Sequence, residues 1–167
     1  MLYKILIILL LLPVFSKADE QAVAADFLDL VRETISQARY CALITLDADG
    51  QPRARTVDPF APEDDFTVWI ATRPVTRKVE QIAEHDQVTL YYWHAETSSY
   101  VTIMGSAELV RDEKVKLEKR RDIDSERFYP DFPDDYLLIG VTPSWLEAMV
   151  PGHRGDPLTW KPEVVRF

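Results

Sequence analysis

Phe66-Thr67-Val68-Trp69-Ile70-Ala71-Thr72-Arg73-Pro74-Val75-Thr76-Arg77-Lys78-Val79-Glu80-Gln81-Ile82-Ala83 decides how this chain folds. Its first seven residues are mostly β-branched or aromatic, which suits a strand. Pro74 stops the run. Thr76 is then a good N-cap for a helix with Val79, Ile82 and Ala83 on one face. Arg77 and Lys78 fall in the first helical turn, where the dipole favours anions by roughly 0.3–1 kcal/mol. A bound anion such as a phosphate, held by the amides, the Thr76 hydroxyl and the two cations, justifies that placement. Two solvated cations on a surface turn are the alternative.

Toward the N-terminus, Asp26 to Ala38 places Phe27, Leu28, Leu30, Val31, Thr34 and Ile35 at helical spacing. Ala42 to Leu46 reads as a short strand, and Asp47-Ala48-Asp49-Gly50 as a hairpin turn. Gln51 to Val57 returns as an alternating strand that puts Arg53, Arg55 and Val57 on one face. Asp58 to Asp65 is an acidic, proline-bearing loop. Met1 to Ala18 reads as a secretory signal: Lys4 supplies the charge, Ile5 to Leu12 the apolar core, and Ser16-Lys17-Ala18 the small residues before cleavage. The apolar run is too short to span a bilayer, which takes about 20 residues.

Toward the C-terminus, Gln87 to Trp93 is another strand, and Tyr100 to Val110 a longer one with Gly105 at a bulge or kink. Arg111 to Arg121 reads as a charged helix. Ile123 to Tyr136 is irregular, aromatic and acidic, the composition of a lid or an interface loop. Leu137 to Val141 is the sixth strand, and Trp145 to Val150 extends it beyond a turn at Pro143. The tail from Gly152 to Phe167 keeps Trp160 and Phe167 in a polar stretch, as docking tails do. Six short strands with two or three helices describe a mainly β protein of α+β class, a barrel with helical decorations. One domain is expected over residues 19–167, its core about 38–150.

The chain has 167 residues and a formal net charge of −9. That balance argues against nucleic acid and anionic membrane surfaces as partners. Cys41 is the only cysteine, so no internal disulfide forms; its apolar flank makes it a core residue. His85, His94 and His153 lack paired ligand spacing, so no metal site is expected. There is no Gly-x-Ser-x-Gly elbow and no glycine-rich dinucleotide fingerprint.

Three blocks carry a resemblance. They are Leu46-Asp47-Ala48-Asp49-Gly50-Gln51-Pro52-Arg53-Ala54-Arg55; Thr76-Arg77-Lys78 opening a helix with Gln81-Ile82; and Val88-Thr89-Leu90-Tyr91-Tyr92 followed by Val101 to Glu108. In order and spacing, mainly over Ala38 to Val110, the chain resembles the pyridoxamine 5'-phosphate oxidase-like, FMN-binding split-barrel superfamily, and within it the general-stress-protein branch. The resemblance implies a six-stranded antiparallel split β-barrel with flanking helices, a homodimer, and FMN between subunits. It assigns the phosphate to Arg55 and to Thr76, Arg77 and Lys78. The candidate cofactor-binding set is Arg53, Arg55 and Val57 on one strand, Trp69 and Thr72 on the next, Thr76, Arg77 and Lys78 at the helix start, and Trp160 in the tail.

The chain departs from the oxidases proper at the lysine beyond the strand arginine, where Phe60 and its neighbours stand. It departs again at a flavin-side glutamine, where Tyr100 stands, and it lacks the C-terminal Arg-Leu pair. The vitamin B6 substrate is therefore not implied, and no catalytic residue is assigned. The expectation is an exported FMN-binding oxidoreductase of unassigned substrate. The alternative is a non-catalytic exported module holding flavin, haem or another phosphorylated ligand.

Overall fold

The computed structural model describes residues 17–122 and 127–167, with side chains from residue 25 onward. Residues 1–16 of the expected export signal, and 123–126 of the irregular segment, lie outside the described residues. The elements are α1 (Lys17–Ala38), β1 (Cys41–Leu46), β2 (Pro52–Val57), β3 (Val68–Thr72), α2 (Arg77–Glu84), β4 (Gln87–His94), β5 (Ser99–Val110), α3 (Glu113–Glu118), β6 (Leu137–Met149) and β7 (Glu163–Arg166). All six expected strands form, and a seventh comes from the tail. Every pairing is antiparallel, in the order β2-β1-β4-β5-β6-β3, with β7 also on β6.

Strand alternation sets the inside. Val88, Leu90 and Tyr92 of β4 are buried, while Tyr91 and Trp93 face out. Leu43 of β1, Val68 and Ile70 of β3, and Val101 and Ile103 of β5 join the same core. α1 closes it with Phe27, Val31, Thr34 and Ile35, the helical spacing expected of a buried stripe. The helix begins nine residues earlier than Asp26, at Lys17; Lys17 to Ala25 is free of glycine and proline and rich in alanine, so nothing stops it. α3 is shorter than expected because Asp112 caps its start, accepting from the Val115 amide at 3.1 Å, and Lys119 ends it. Cys41 is buried, and that burial pushes its thiol up to about 12.

β6 is the long spine. Val68 to Thr72 of β3 pair with its first half, and Glu163 to Arg166 of β7 with its second, in tandem along one edge. β5 covers the other edge throughout, with a register shift between Met104 and Gly105 opposite Pro143. Pro143 offers no amide to the ladder, and Gly105 lets the two backbones close together there.

The β1–β2 hairpin turns at Gly50, whose φ is +73°. The Asp47 carboxylate accepts from the amides of Gln51 (2.9 Å) and Asp49 (3.0 Å) and from Arg53 Nε (2.7 Å). The Gln51 amide first, and then Arg53, hold its pKa below the ordinary aspartate value. A depressed native pKa means stability that is present above the unfolded value and lost as pH falls through the native one. Asp47→Ala should therefore lose less stability than the wild type on acidification. Thermal midpoints between neutral pH and about pH 2 check this; parallel acid limbs in the two proteins would contradict it.

Candidate functional site

The sheet stops at β2 on one side and β3 on the other, and these two strands do not pair. A cavity of about 380 Å³ occupies the split between them. β2 supplies Arg55, Thr56 and Val57, and the end of β3 supplies Ala71 and Thr72. Thr76 and Lys78 line it from the start of α2, and Asp58, Arg73, Arg121, Phe128 and Tyr129 from the loops. The volume falls within the range of small-molecule sites.

Arg55 is fixed before any ligand arrives. Hairpin register sets it opposite Leu43. Its Nη1 donates to Thr45 Oγ1 at 2.6 Å and to the Leu43 carbonyl at 3.2 Å, and Nη2 donates to Gln81 Oε1 at 2.7 Å. Thr45 donates in turn to Gln81 Oε1 at 2.7 Å. Lys78 Nζ donates to Thr72 Oγ1 (2.8 Å) and Thr76 Oγ1 (3.2 Å), whose hydroxyls lie 3.3 Å apart. Thr76 stands at the N-cap position in extended backbone without capping the helix. Its hydroxyl donates instead to the Arg73 carbonyl at 3.0 Å. The first amides of α2 thus keep no side-chain acceptor there.

The electrostatics are one-sided. Burial, and then repulsion from Arg77, pushes the Arg55 pKa down; burial, and then repulsion from Arg55, does the same to Lys78. Among the described residues no carboxylate pairs with Arg55, Arg77 or Lys78. Asp58, at the rim, lies 4.0 Å from Arg39 and 3.8 Å from Arg121. Converging cations, two hydroxyls and a helix N-terminus form a cradle for an anion.

Of the nine residues expected at the site, Arg55, Val57, Thr72, Thr76 and Lys78 line one cavity. Arg77 does not line the cavity; its side chain is exposed, though close enough to repel Arg55. Arg53 turns away to Asp47, its Nη2 2.6 Å from Oδ2. Trp69 does not line the cavity; its Nε1 donates to Glu63 Oε1 at 2.9 Å, and Glu63 is also paired with Lys119. Trp160 sits in the tail at φ +57°, 71 % exposed. Thr45 and Gln81, which orient Arg55, were not expected in the site. The hairpin turn was the available signal, because its register makes Thr45 a diagonal neighbour of Arg55. Arg121, Phe128 and Tyr129 come from distant sequence, the two aromatics from the irregular segment expected to be a lid or an interface loop. Arg73 stands in the opening stretch itself, where nothing local marked it for the site.

No curated protein matches the sequence at a significant level. Several solved structures share the fold. A Clostridium acetobutylicum protein related to general stress protein 26 of B. subtilis superposes with a TM-score of 0.71 at 19% identity, over 85% of this chain and 95% of that one. A pyridoxamine 5'-phosphate oxidase-related, FMN binding protein from Nostoc punctiforme gives 0.60 at 15% identity, over 88% and 95%. A heme binding protein from Mycobacterium smegmatis gives 0.60 at 16% identity, over 81% of this chain and 55% of that one. The family model for pyridoxamine 5'-phosphate oxidase matches residues 27–149, a span that runs from α1 to the end of β6 and contains both strands flanking the split. With that match over most of its length, and with the open antiparallel barrel to accompany it, the chain belongs to the pyridoxamine 5'-phosphate oxidase family.

Proposed function

We propose that the cavity in the split binds FMN and that the protein is an FMN-dependent oxidoreductase. The observation that carries this reading is the set of three cations, Arg55, Arg77 and Lys78, with no carboxylate partner among the described residues. Arg55, Thr76, Arg77 and Lys78 would hold the phosphate, and Thr72 would keep Lys78 oriented. Val57 would offer an apolar contact beside it. The flavin, when bound, supplies the hydride and electron transfer, while the protein supplies binding and orientation. Haem, which the Mycobacterium smegmatis neighbour binds, is the second reading. It is less favoured because none of the three histidines lines the cavity, whereas a phosphate fits the cradle.

The exposed faces of Tyr91 and Trp93, with Tyr100 stacked on Tyr91 at 5.8 Å, support a homodimer that pairs through the outer face of β4 and β5. The expected N-terminal signal would carry this chemistry outside the cytoplasm.

Titration with FMN and with riboflavin, followed by flavin fluorescence, tests the reading. Each hydrogen bond to a charged group contributes about 1.5–3 kcal/mol and the phosphate meets several such groups, so FMN should bind at least roughly 150-fold tighter than riboflavin. Equal affinities would remove the phosphate site. A Soret band in the purified protein would favour haem instead.

A further inference from the structure

The anion cradle builds only one side of the cavity. Phe128 and Tyr129 form the facing wall, and they belong to a segment outside the sheet. Tyr129 packs edge-on against Tyr136 with ring centroids 4.7 Å apart. Tyr136 is fully buried and donates its hydroxyl to the Lys119 carbonyl at 3.2 Å, so the base of the wall is anchored in the core. The tip is held differently. Arg73, just past the end of β3, donates from Nε (3.0 Å) and Nη2 (2.7 Å) to the Phe128 carbonyl. Its Nη2 also lies 3.9 Å from Asp135 of the same segment. The Arg73 carbonyl accepts from the Thr76 hydroxyl at 3.0 Å and the Thr76 amide at 3.3 Å.

One residue therefore bonds to both sides. Its backbone shapes the turn that presents Thr76 to the anion, and its side chain grips the opposite wall. We infer that Arg73 is a positioning residue: it straps the Phe128–Tyr129 segment across the cavity, making an aromatic wall for the flat ring system of a phosphorylated ligand. This rests on the FMN reading above. The two-nitrogen grip on a single carbonyl needs the planar guanidinium; a lysine supplies a point charge and cannot reproduce it.

The competing role for Arg73 is that of one more cation for the phosphate, and the two roles separate cleanly. A cation acts on the phosphate alone, so its loss weakens FMN and spares riboflavin. A strap acts on the ring, so its loss weakens both by the same factor. Arg73→Ala should lower FMN and riboflavin affinity equally, by about tenfold, the loss of a charge-assisted hydrogen bond. Arg73→Lys should follow it, because the charge remains and the fork does not. The melting temperature should hardly move, since the side chain is half exposed. In the protein without ligand, hydrogen exchange of the amides in residues 128–136 should quicken about tenfold in both variants while β4 and β5 stay protected.

Unchanged exchange in residues 128–136 would overturn the strap. A loss confined to FMN, or rescue of FMN affinity by Arg73→Lys, would overturn the ring-wall role in favour of a phosphate contact. If the wild type binds no FMN, the cofactor reading fails and takes the ring-wall role with it. The exchange experiment then still decides whether Arg73 holds the segment.

Discussion

Gly105→Ala should lower the melting temperature by roughly 6–12 °C. An alanine Cβ at this position would lie 2.0 Å from the Thr142 carbonyl oxygen and 2.9 Å from the Pro143 Cα. Both are backbone atoms, so no side-chain rotation relieves the overlap. Overpacking a well-filled site costs about 1–3 kcal/mol, and a clash with a paired strand belongs at the upper end. In a chain of this size each 1 kcal/mol moves the midpoint by about 2–4 °C. The strain would fall on the register shift between Met104 and Gly105, opposite Pro143 of β6. Gly50→Ala is the control: Gly50 has φ +73° with nothing within 4 Å of the added carbon. It should incur only the conformational penalty of a left-handed residue, about 1 kcal/mol, and a correspondingly small shift. Thermal melts of the two variants beside the wild type measure the difference. Equal shifts would mean that the strands are not locked together at Gly105.

The edges of β6 separate what could be read in the chain from what could not. Each of the six expected strands carries its own alternation or apolar run, a local property, and each forms close to its expected bounds. The exception is β6, which runs unbroken from Leu137 to Met149 with no turn at Pro143, because β5 pairs with it across that point. β7 carries no such local pattern. Glu163 to Arg166 is short, and it becomes a strand only because β6 runs on past the end of β3 and leaves the rest of the same edge open. That edge is a product of tertiary structure.

The site divides in the same way. Arg55, Thr76 and Lys78 were legible because hairpin register and helix polarity are set within short stretches. Alternation placed Arg53 on the face of Arg55, but six residues upstream the turn aspartate, Asp47, engages it. Trp160 stands out in the sequence as an aromatic in a polar tail. A tight turn, in which its amide donates to the Asp156 carbonyl at 2.8 Å, leaves it on the surface. The wall at Phe128 and its hold by Arg73 span 55 residues of sequence, and no periodicity encodes that.

Arg55→Ala should cost the most ligand affinity of any single change in the cradle. Arg55 is partly buried, fixed by three hydrogen bonds and already aimed at the split, so little ordering cost offsets its contact with an anion. Its removal should lower FMN affinity toward the upper end of roughly 10- to 150-fold. Arg77→Ala should fall toward the lower end, because its side chain is exposed and screened by salt. Riboflavin affinity should stay near the wild-type value in both. The unliganded fold should tolerate the Arg55 change, since Thr45 keeps its hydrogen bond to Gln81 and a mutual repulsion with Arg77 and Lys78 is relieved.

That relief carries its own signature. The Lys78 pKa is lowered in the folded protein, so in the window below the ordinary lysine value the unfolded chain binds more protons, and stability rises with pH there. Arg55 is one cause of the lowering, second to burial, so the slope should flatten in Arg55→Ala. Fluorescence titration of both flavins against both variants, at low and high salt, reads the binding side. Stability measured across the alkaline limb reads the other. An Arg55→Ala protein that binds FMN as tightly as the wild type would show that no phosphate enters the cradle, and the converging cations would then need a different anion.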